Sequence, residues 1–344
     1  MEVGVTDNIH YFIDRNFKCG KCSDFNNVRL YNIVGADLAE KGQILLIIAD
    51  ILSECKKEIY YSPYERMLPC ALYLSEFNTL IASDYNNYNA EKLTNRYFDI
   101  GRVFKATASP IEEIVGYTMN QSNTYMYKSM ELMGITDLLM KEYVKNGTEL
   151  LKTDKLKNYA KRKMALMLEK NKCIGKESFK PISAITGNGY RFIELPKNHI
   201  IIKLSDNFIA ASRMFVQTAS KAANKLGHDT ILARAVDIEN SPLHLIIPDI
   251  KTIFVSDSQI FSSKHIQGNK ICLERFYYES MLESRSHDIS FFGEYIRKSI
   301  NEAALYAGIC TDIKNQGRKL LVPFISESET AEIASEIVYS VLNS

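Results

Sequence analysis

Apolar positions along this chain fall into two regimes: short continuous runs, and longer stretches with helical spacing. Arg29-Leu-Tyr-Asn-Ile-Val34 reads as a strand running into Gly35, and the helix-like stretch Gln43–Lys56 follows it. Next come the strand candidates Glu58–Tyr61 and Thr79–Ser83, the second ending in Asp84. Later in the chain Ile200–Leu204, a turn, a helix over Ala211–Leu226 and the strands Thr230–Ala235 and Thr252–Ser256 give the same order. Strand, turn, helix, strand is a βαβ unit, with a right-handed crossover and a parallel sheet. Runs such as Ile200–Ile202 suit strands buried on both faces. Gly227 directly after Lys225-Leu226 is a helix C-cap signal. The stretches Ile111–Lys172 and Asp288–Ser344 read as helical, and between them Gly175, Pro181, Gly187 and Gly189 break the pattern over Lys172–Leu195.

The recurrence extends to the residues themselves. Tyr73–Asp84 aligns with Ile246–Asp257 at a spacing of 173, matching Thr79 with Thr252, Ser83 with Ser256 and Asp84 with Asp257. Met133-Gly-Ile-Thr-Asp137 precedes Ala307-Gly-Ile-Cys-Thr-Asp312 by 174. Two matches at nearly one spacing predict a duplication into residues 1–172 and 173–344, each an α/β unit with a helical tail.

Composition narrows the function classes. The 344 residues are 46% hydrophobic and 24% charged, as in ordinary globular chains. Forty-two Lys and Arg against 41 Asp and Glu leave a net charge of +1, so global charge gives no reason to expect nucleic acid or an anionic membrane as partner. The longest apolar run, Ile44–Ala49, is far short of the roughly 20 residues of a membrane span. The N-terminal residues have no signal-peptide pattern, and seven scattered cysteines do not suggest a disulfide scaffold. A cytoplasmic location is expected.

A strand running into a turn and a helix is the setting of a phosphate-binding loop, where backbone N–H groups and a lysine hold phosphates and a hydroxyl ligates magnesium. Neither half carries the full G-x-x-x-x-G-K-[ST]. The first, Gly35-Ala-Asp-Leu-Ala-Glu-Lys41-Gly42, keeps one glycine and the lysine, with Glu40 at the second glycine and Gly42 at the hydroxyl. The second, Ser205-Asp-Asn-Phe-Ile-Ala-Ala-Ser212, keeps only the final hydroxyl. The nucleotide-binding candidates are therefore Gly35, Lys41, Gly42, Ser205 and Ser212. Asp84 and Asp257 stand at strand ends, where a carboxylate either organises magnesium or caps the following turn.

With its duplication, this order of elements resembles an uncharacterised bacterial family of tandem P-loop ATPase-like proteins, known mainly from spore-forming Firmicutes. Asn240–Pro248 is similar to the family's segment before the Asp-ending strand, and Tyr97–Phe104 to the piece after it. Ser183–Gly189 resembles the lead-in to the second half, and His10-Tyr-Phe12 the opening. The resemblance implies one phosphate loop per half and ATP with magnesium as ligand. This sequence departs from the pattern at both loops.

Cys19-Gly-Lys-Cys22 has the spacing of a zinc knuckle or dithiol pair, but no second such pair accompanies it, and loop cysteines are the plainer reading. His244 sits among apolar residues, as a satisfied core or turn histidine does. No G-x-S-x-G elbow is present. Lys152–Lys172 is locally basic and reads as a solvated helix face, or else as a contact for an acidic partner, a membrane surface or nucleic acid. Tyr117–Met140, rich in Met and Tyr, reads as packed core or a helix–helix contact. The sequence thus predicts two tandem P-loop-NTPase-like units with mainly parallel sheets. The function expected is that of a non-catalytic pseudo-NTPase, a structural or regulatory module binding a protein partner or a second copy. The alternative is an ATPase or nucleotide switch using the atypical first loop.

Overall fold

The computed structural model describes residues 9–12, 28–35, 38–62, 65–83, 95–104, 109–192, 195, 198–235, 242–263 and 265–343. Asp84, Cys19 and Cys22 lie outside them. The chain forms two compact units, residues 1–127 with 307–344 and residues 128–306, which are interleaved along the sequence.

The first unit contains a six-stranded sheet of β1 (Ile9–Phe12), β2 (Arg29–Val34), β3 (Lys57–Ser62), β4 (Glu65–Leu74), β5 (Thr79–Ser83) and β6 (Asn95–Asp99). Its order is β1-β3-β4-β5-β2-β6. Only β4 runs against the rest, pairing antiparallel with β3 and β5. Between β2 and β3 lies α1 (Leu38–Ile51), which begins several residues before the predicted start at Gln43. Ile44, Leu45 and Ile48 of α1 are buried against Tyr31, Ile33, Leu72 and Ile81 of the sheet. The C-terminal carbonyls of α1 at Ala49 and Leu52 accept hydrogen bonds from the buried Lys57 Nζ, both at 2.6 Å. A cation there satisfies orphan carbonyls and the negative end of the helix dipole together.

The second unit holds a seven-stranded sheet of β7 (Glu177–Thr186), β8 (Gly189–Phe192), β9 (Ile200–Ser205), β10 (Thr230–Ala235), β11 (His244–Ile247), β12 (Thr252–Asp257) and β13 (Asn269–Cys272). Its order is β13-β9-β12-β11-β10-β7-β8, with α4 (Ala210–Lys225) between β9 and β10. Read from β7, the order β7-β10-β11-β12-β9-β13 repeats that of the first sheet, and every pairing has the same sense. The agreement is local as well. Asn78 and Lys251 both take the left-handed conformation, at φ 47° and 45°. Thr79 and Thr252 after them both donate from the hydroxyl to the carbonyl two residues back, each at 3.0 Å.

Two sequence expectations are corrected. Lys172–Leu195, whose breakers suggested a boundary between the halves, lies within the second unit: β7 and β8 form a hairpin there, Gly187 and Asn188 making the turn and Gly189 entering β8 at φ 82°. The antiparallel strands β4 and β11, which the apolar runs left unassigned, separate β3 from β5 and β10 from β12, so the βαβ strands are not neighbours.

The helices after each sheet are long: α2 spans Ser109–Glu149 and α6 spans Ser286–Leu321. In the first unit Ser122 Oγ lies 3.2 Å from Cys310 Sγ. In the second, Ser129 Oγ donates to the Ala303 carbonyl at 2.8 Å and Thr136 Oγ1 lies 2.9 Å from Ser299 Oγ. Met133 and Met140 of the Met/Tyr-rich stretch are core residues, whereas Tyr117 and Tyr127 are exposed. After α2 comes α3 (Thr153–Met167), and after α6 and the short helix α5 (Glu279–Ser284) that precedes it comes α7 (Glu327–Leu342). Here chain order and packing part company. The helix α3, which follows the first sheet in sequence, buries Leu156, Ala160 and Met164 in the core of the second unit with Phe215, Val216 and Ala219 of α4. Helix α7 buries Ile333, Ala334, Ile337, Val338 and Val341 against α1 in the first. Each sheet is completed by the tail helix of the other half of the sequence.

Candidate functional site

The loops that follow β2 and β9 lie at the carboxyl ends of parallel strands. Backbone hydrogen bonds set their correspondence. The Val34 carbonyl accepts from the Ile100 N–H at 3.0 Å, and the Ser205 carbonyl accepts from the Leu273 N–H at 2.9 Å. Gly35 therefore corresponds to Asp206, and Phe104, four residues past Ile100, to Tyr277. The buried positions of the helices extend the match: Glu40, Lys41, Ile44, Leu45 and Ile48 correspond to Ala211, Ser212, Phe215, Val216 and Ala219. Lys41 thus stands at the position of Ser212, one residue off the alignment of the two loops by motif.

In the second unit the N-terminus of α4 is closed by the chain itself. The side chain of Asp206, four residues before α4 begins at Ala210, is fully buried. Its Oδ2 accepts the Ser212 N–H at 2.7 Å. Its Oδ1 accepts the Phe208 N–H at 3.1 Å and the Tyr277 hydroxyl at 2.9 Å. The same hydroxyl accepts the Ala211 N–H at 3.0 Å, so Asp206 and Tyr277 together take up the orphan amides of the first turn. This is an anion at a helix N-terminus, the arrangement that otherwise holds a phosphate, supplied as a side chain. Burial pushes the Asp206 carboxyl up from its ordinary range, opposed by the hydrogen bonds from Ser212, Tyr277 and Phe208. Burial and the neighbouring Asp206 raise Tyr277 well above an ordinary tyrosine. The loop is tightly built. Ile209 sits at φ 64°, a strained conformation for a β-branched residue, and its side chain is fully buried. The Tyr143 hydroxyl of α2 donates to the Asn207 carbonyl at 3.0 Å. A Cβ on Gly147 would lie 2.9 Å from that of Ala210, so glycine lets α2 approach.

The remaining candidates take local roles. Ser212 donates its hydroxyl to the Ile209 carbonyl at 2.9 Å. Ser205 is the last residue of β9, its carbonyl bonded to Leu273. Asp257 Oδ1 accepts the Ser263 N–H at 2.9 Å, capping the turn after β12, and its carbonyl accepts the Asp206 N–H at 3.0 Å. In the first unit Gly35 adopts φ 108°, and a Cβ there would lie 2.8 Å from Asp99 Oδ1, so this position is reserved for glycine. Lys41 is only 1% exposed, on the buried face of α1, with Gly42 next to it. Among the described residues no group of three His, Cys, Asp or Glu side chains is placed to hold a metal, and no helix is long and apolar enough to cross a membrane.

His244 is a second buried polar centre. Its Nδ1 accepts the Ser256 N–H at 3.2 Å, which leaves the proton on Nε2, 3.1 Å from the Tyr190 hydroxyl. Burial lowers its pKa to about 3. An unfolded histidine titrates near 6.5, so this group contributes stability that is complete above that pH and is lost as pH falls toward 3. The expected slope is about 1.4 kcal/mol per pH unit. The stability advantage of the native protein over His244→Gln should therefore shrink by about 2–3 kcal/mol between pH 7 and 4.5 in urea unfolding. A gap independent of pH would place a charged imidazole in the fold.

Comparison of the chain with protein-family models, with curated proteins and with solved structures finds no match.

Proposed function

We propose that this chain is a non-catalytic pseudo-NTPase, a duplicated P-loop-like scaffold that acts as a structural or regulatory binding module for a protein partner. The observation that carries the reading is the Asp206 carboxylate at the N-terminus of α4. A phosphate brought within about 4 Å of it meets a repulsion of about 4 kcal/mol per unit charge at an effective dielectric of 20. The amides that would receive the phosphate are already bonded to Asp206 and Tyr277. Ala211 supplies no cation, and the Ser212 hydroxyl is turned to a backbone carbonyl. The residues of this loop do not fit ATP with magnesium.

One difference favours a second reading for the first unit alone. Gly35 and Phe104 stand there in place of the Asp206–Tyr277 pair, and ATP binding through Gly35 and Lys41 is the alternative. Thermal unfolding with ATP, ADP and GTP, with and without magnesium, separates the two. No shift at millimolar nucleotide is expected. A ligand at 100 times its Kd stabilises the fold by about 2.7 kcal/mol, a shift of several degrees. A magnesium-dependent shift of that size would hand the function to the second reading.

A further inference from the structure

An open groove of about 810 Å³ lies on the second unit between α3 and the turn before Tyr277. Its lining combines Lys155, Asn158, Lys161 and Arg162 of α3 with Arg275 and the aromatic pair Tyr159 and Phe276. Four cations and, among the described residues, no carboxylate line it. The local charge is extreme for this chain: residues 152–172 hold eight Lys or Arg against Asp154 and Glu169, while the whole protein carries +1. Arg275 is ordered by its surroundings. Its guanidinium lies 4.8 Å from the Tyr159 ring centroid and 5.0 Å from that of Phe276. Those rings are themselves 5.3 Å apart, and Tyr159 is packed against Phe215 of the core. A guanidinium held beside two aromatic rings, on an exposed residue, presents a planar surface for stacking and N–H groups for phosphate oxygens. The nearest acid in sequence, Glu274, is engaged by the Cys272 thiol at 3.9 Å.

We propose that this groove binds single-stranded nucleic acid, with Lys155, Lys161, Arg162 and Arg275 along the phosphates and the Arg275 plane under an unpaired base. Three features favour a strand over a single nucleotide or a duplex. The cations from Lys155 to Arg162 span about 10 Å of helix at 1.5 Å per residue, longer than one phosphate group. Lys163, Lys170 and Lys172 follow in sequence, keeping the chain after the groove-lining residues basic. A stacking plane beside a basic track is the combination that receives unpaired bases. The proposal is independent of the reading of the phosphate loops, since Arg275 lies outside both.

The test is fluorescence anisotropy of labelled 12-nucleotide DNA and RNA strands titrated with the full-length protein. Binding should weaken with salt at a logarithmic slope of about −2.8 for four phosphates, roughly fifty-fold between 50 and 200 mM. Arg275→Ala should cost about tenfold or more, and Arg275→Lys, which keeps the charge but not the plane, should recover only part. Lys155→Glu with Arg162→Glu should abolish binding while circular dichroism melting confirms the fold. No binding at 50 mM salt overturns the proposal, as does unchanged affinity in the variants. Equal affinity for polyglutamate would make the groove a site for acidic protein surfaces, and equal affinity for ADP a mononucleotide site; either result also overturns it. A nucleotide response at the loops would survive Arg275→Ala, so the two readings fail separately.

Discussion

Asp206→Ala is expected to destabilise the second unit by about 3–5 kcal/mol, a large share of the stability of a typical domain. The carboxylate accepts from the Ser212 and Phe208 amides and the Tyr277 hydroxyl, and the first and last of these donors are buried. Leaving a buried donor without an acceptor costs about 1–3 kcal/mol each, and alanine offers no replacement. Asp206→Asn keeps one acceptor oxygen but turns an amide N–H₂ toward donors, so an intermediate loss is expected. Tyr277→Phe removes the bond to Asp206 and strands the Ala211 amide, for a loss of about 1–3 kcal/mol. Because both residues serve the same helix turn, the double variant should fall short of the sum of the single losses by about 1 kcal/mol or more. Denaturant unfolding, with hydrogen exchange at Ala211 and Ser212, reads these losses. A cost below about 1 kcal/mol for Asp206→Ala would mean that water caps the helix equally well, and the argument for a closed loop would fall with it.

Paired truncation of Ile333→Ala and Ile337→Ala in α7 is expected to have the other large effect, and at a distant point of the sequence. Both side chains are at most 1% exposed, packed with Ile44, Leu45 and Ile48 of α1. Deleting a buried Ile to Ala costs about 2–5 kcal/mol, including the cavity left behind. The two together, about 4–10 kcal/mol, approach the whole stability of a domain. Exchange protection should be lost in α1 and β2, near the N-terminus, while α3 and α4 keep theirs. Were α4 to lose protection instead, α7 would belong to the sheet of its own half and the helix exchange would be wrong.

Much of the fold was legible. The apolar runs of β2, β5 and β12 are continuous because those strands are buried along nearly their whole length, and the matching of Thr79 with Thr252 reflects the same turn built twice. The run Ile200–Ile202 of β9 is not buried on both faces as expected: Ile200 is 58% exposed and Ile201 half-buried, and only Ile202 is in the core. Other elements were hidden for identifiable reasons. In β4 the signal is broken by Pro69 and by the polar start at Glu65. The glycines after Thr186 signal a turn, and periodicity does not separate a hairpin turn from a linker. For the second loop, an Asp before a helix is itself a capping signal, and Ser205-Asp-Asn carried it. A phosphate-loop motif is defined instead by glycine, lysine and a terminal hydroxyl, none of which registers an Asp.

The sequence by itself determined the α/β class, the twofold repetition, the helices and the absence of an intact phosphate loop, because each rests on short-range periodicity or on residue type at fixed spacing. Only the tertiary structure decided that α3 and α7 exchange sheets, since an amphipathic helix declares that one face is buried but not what buries it. It likewise decided the site: Tyr277 reaches Asp206 across 71 residues, a contact written in no local pattern because it depends on where two strand ends come to rest.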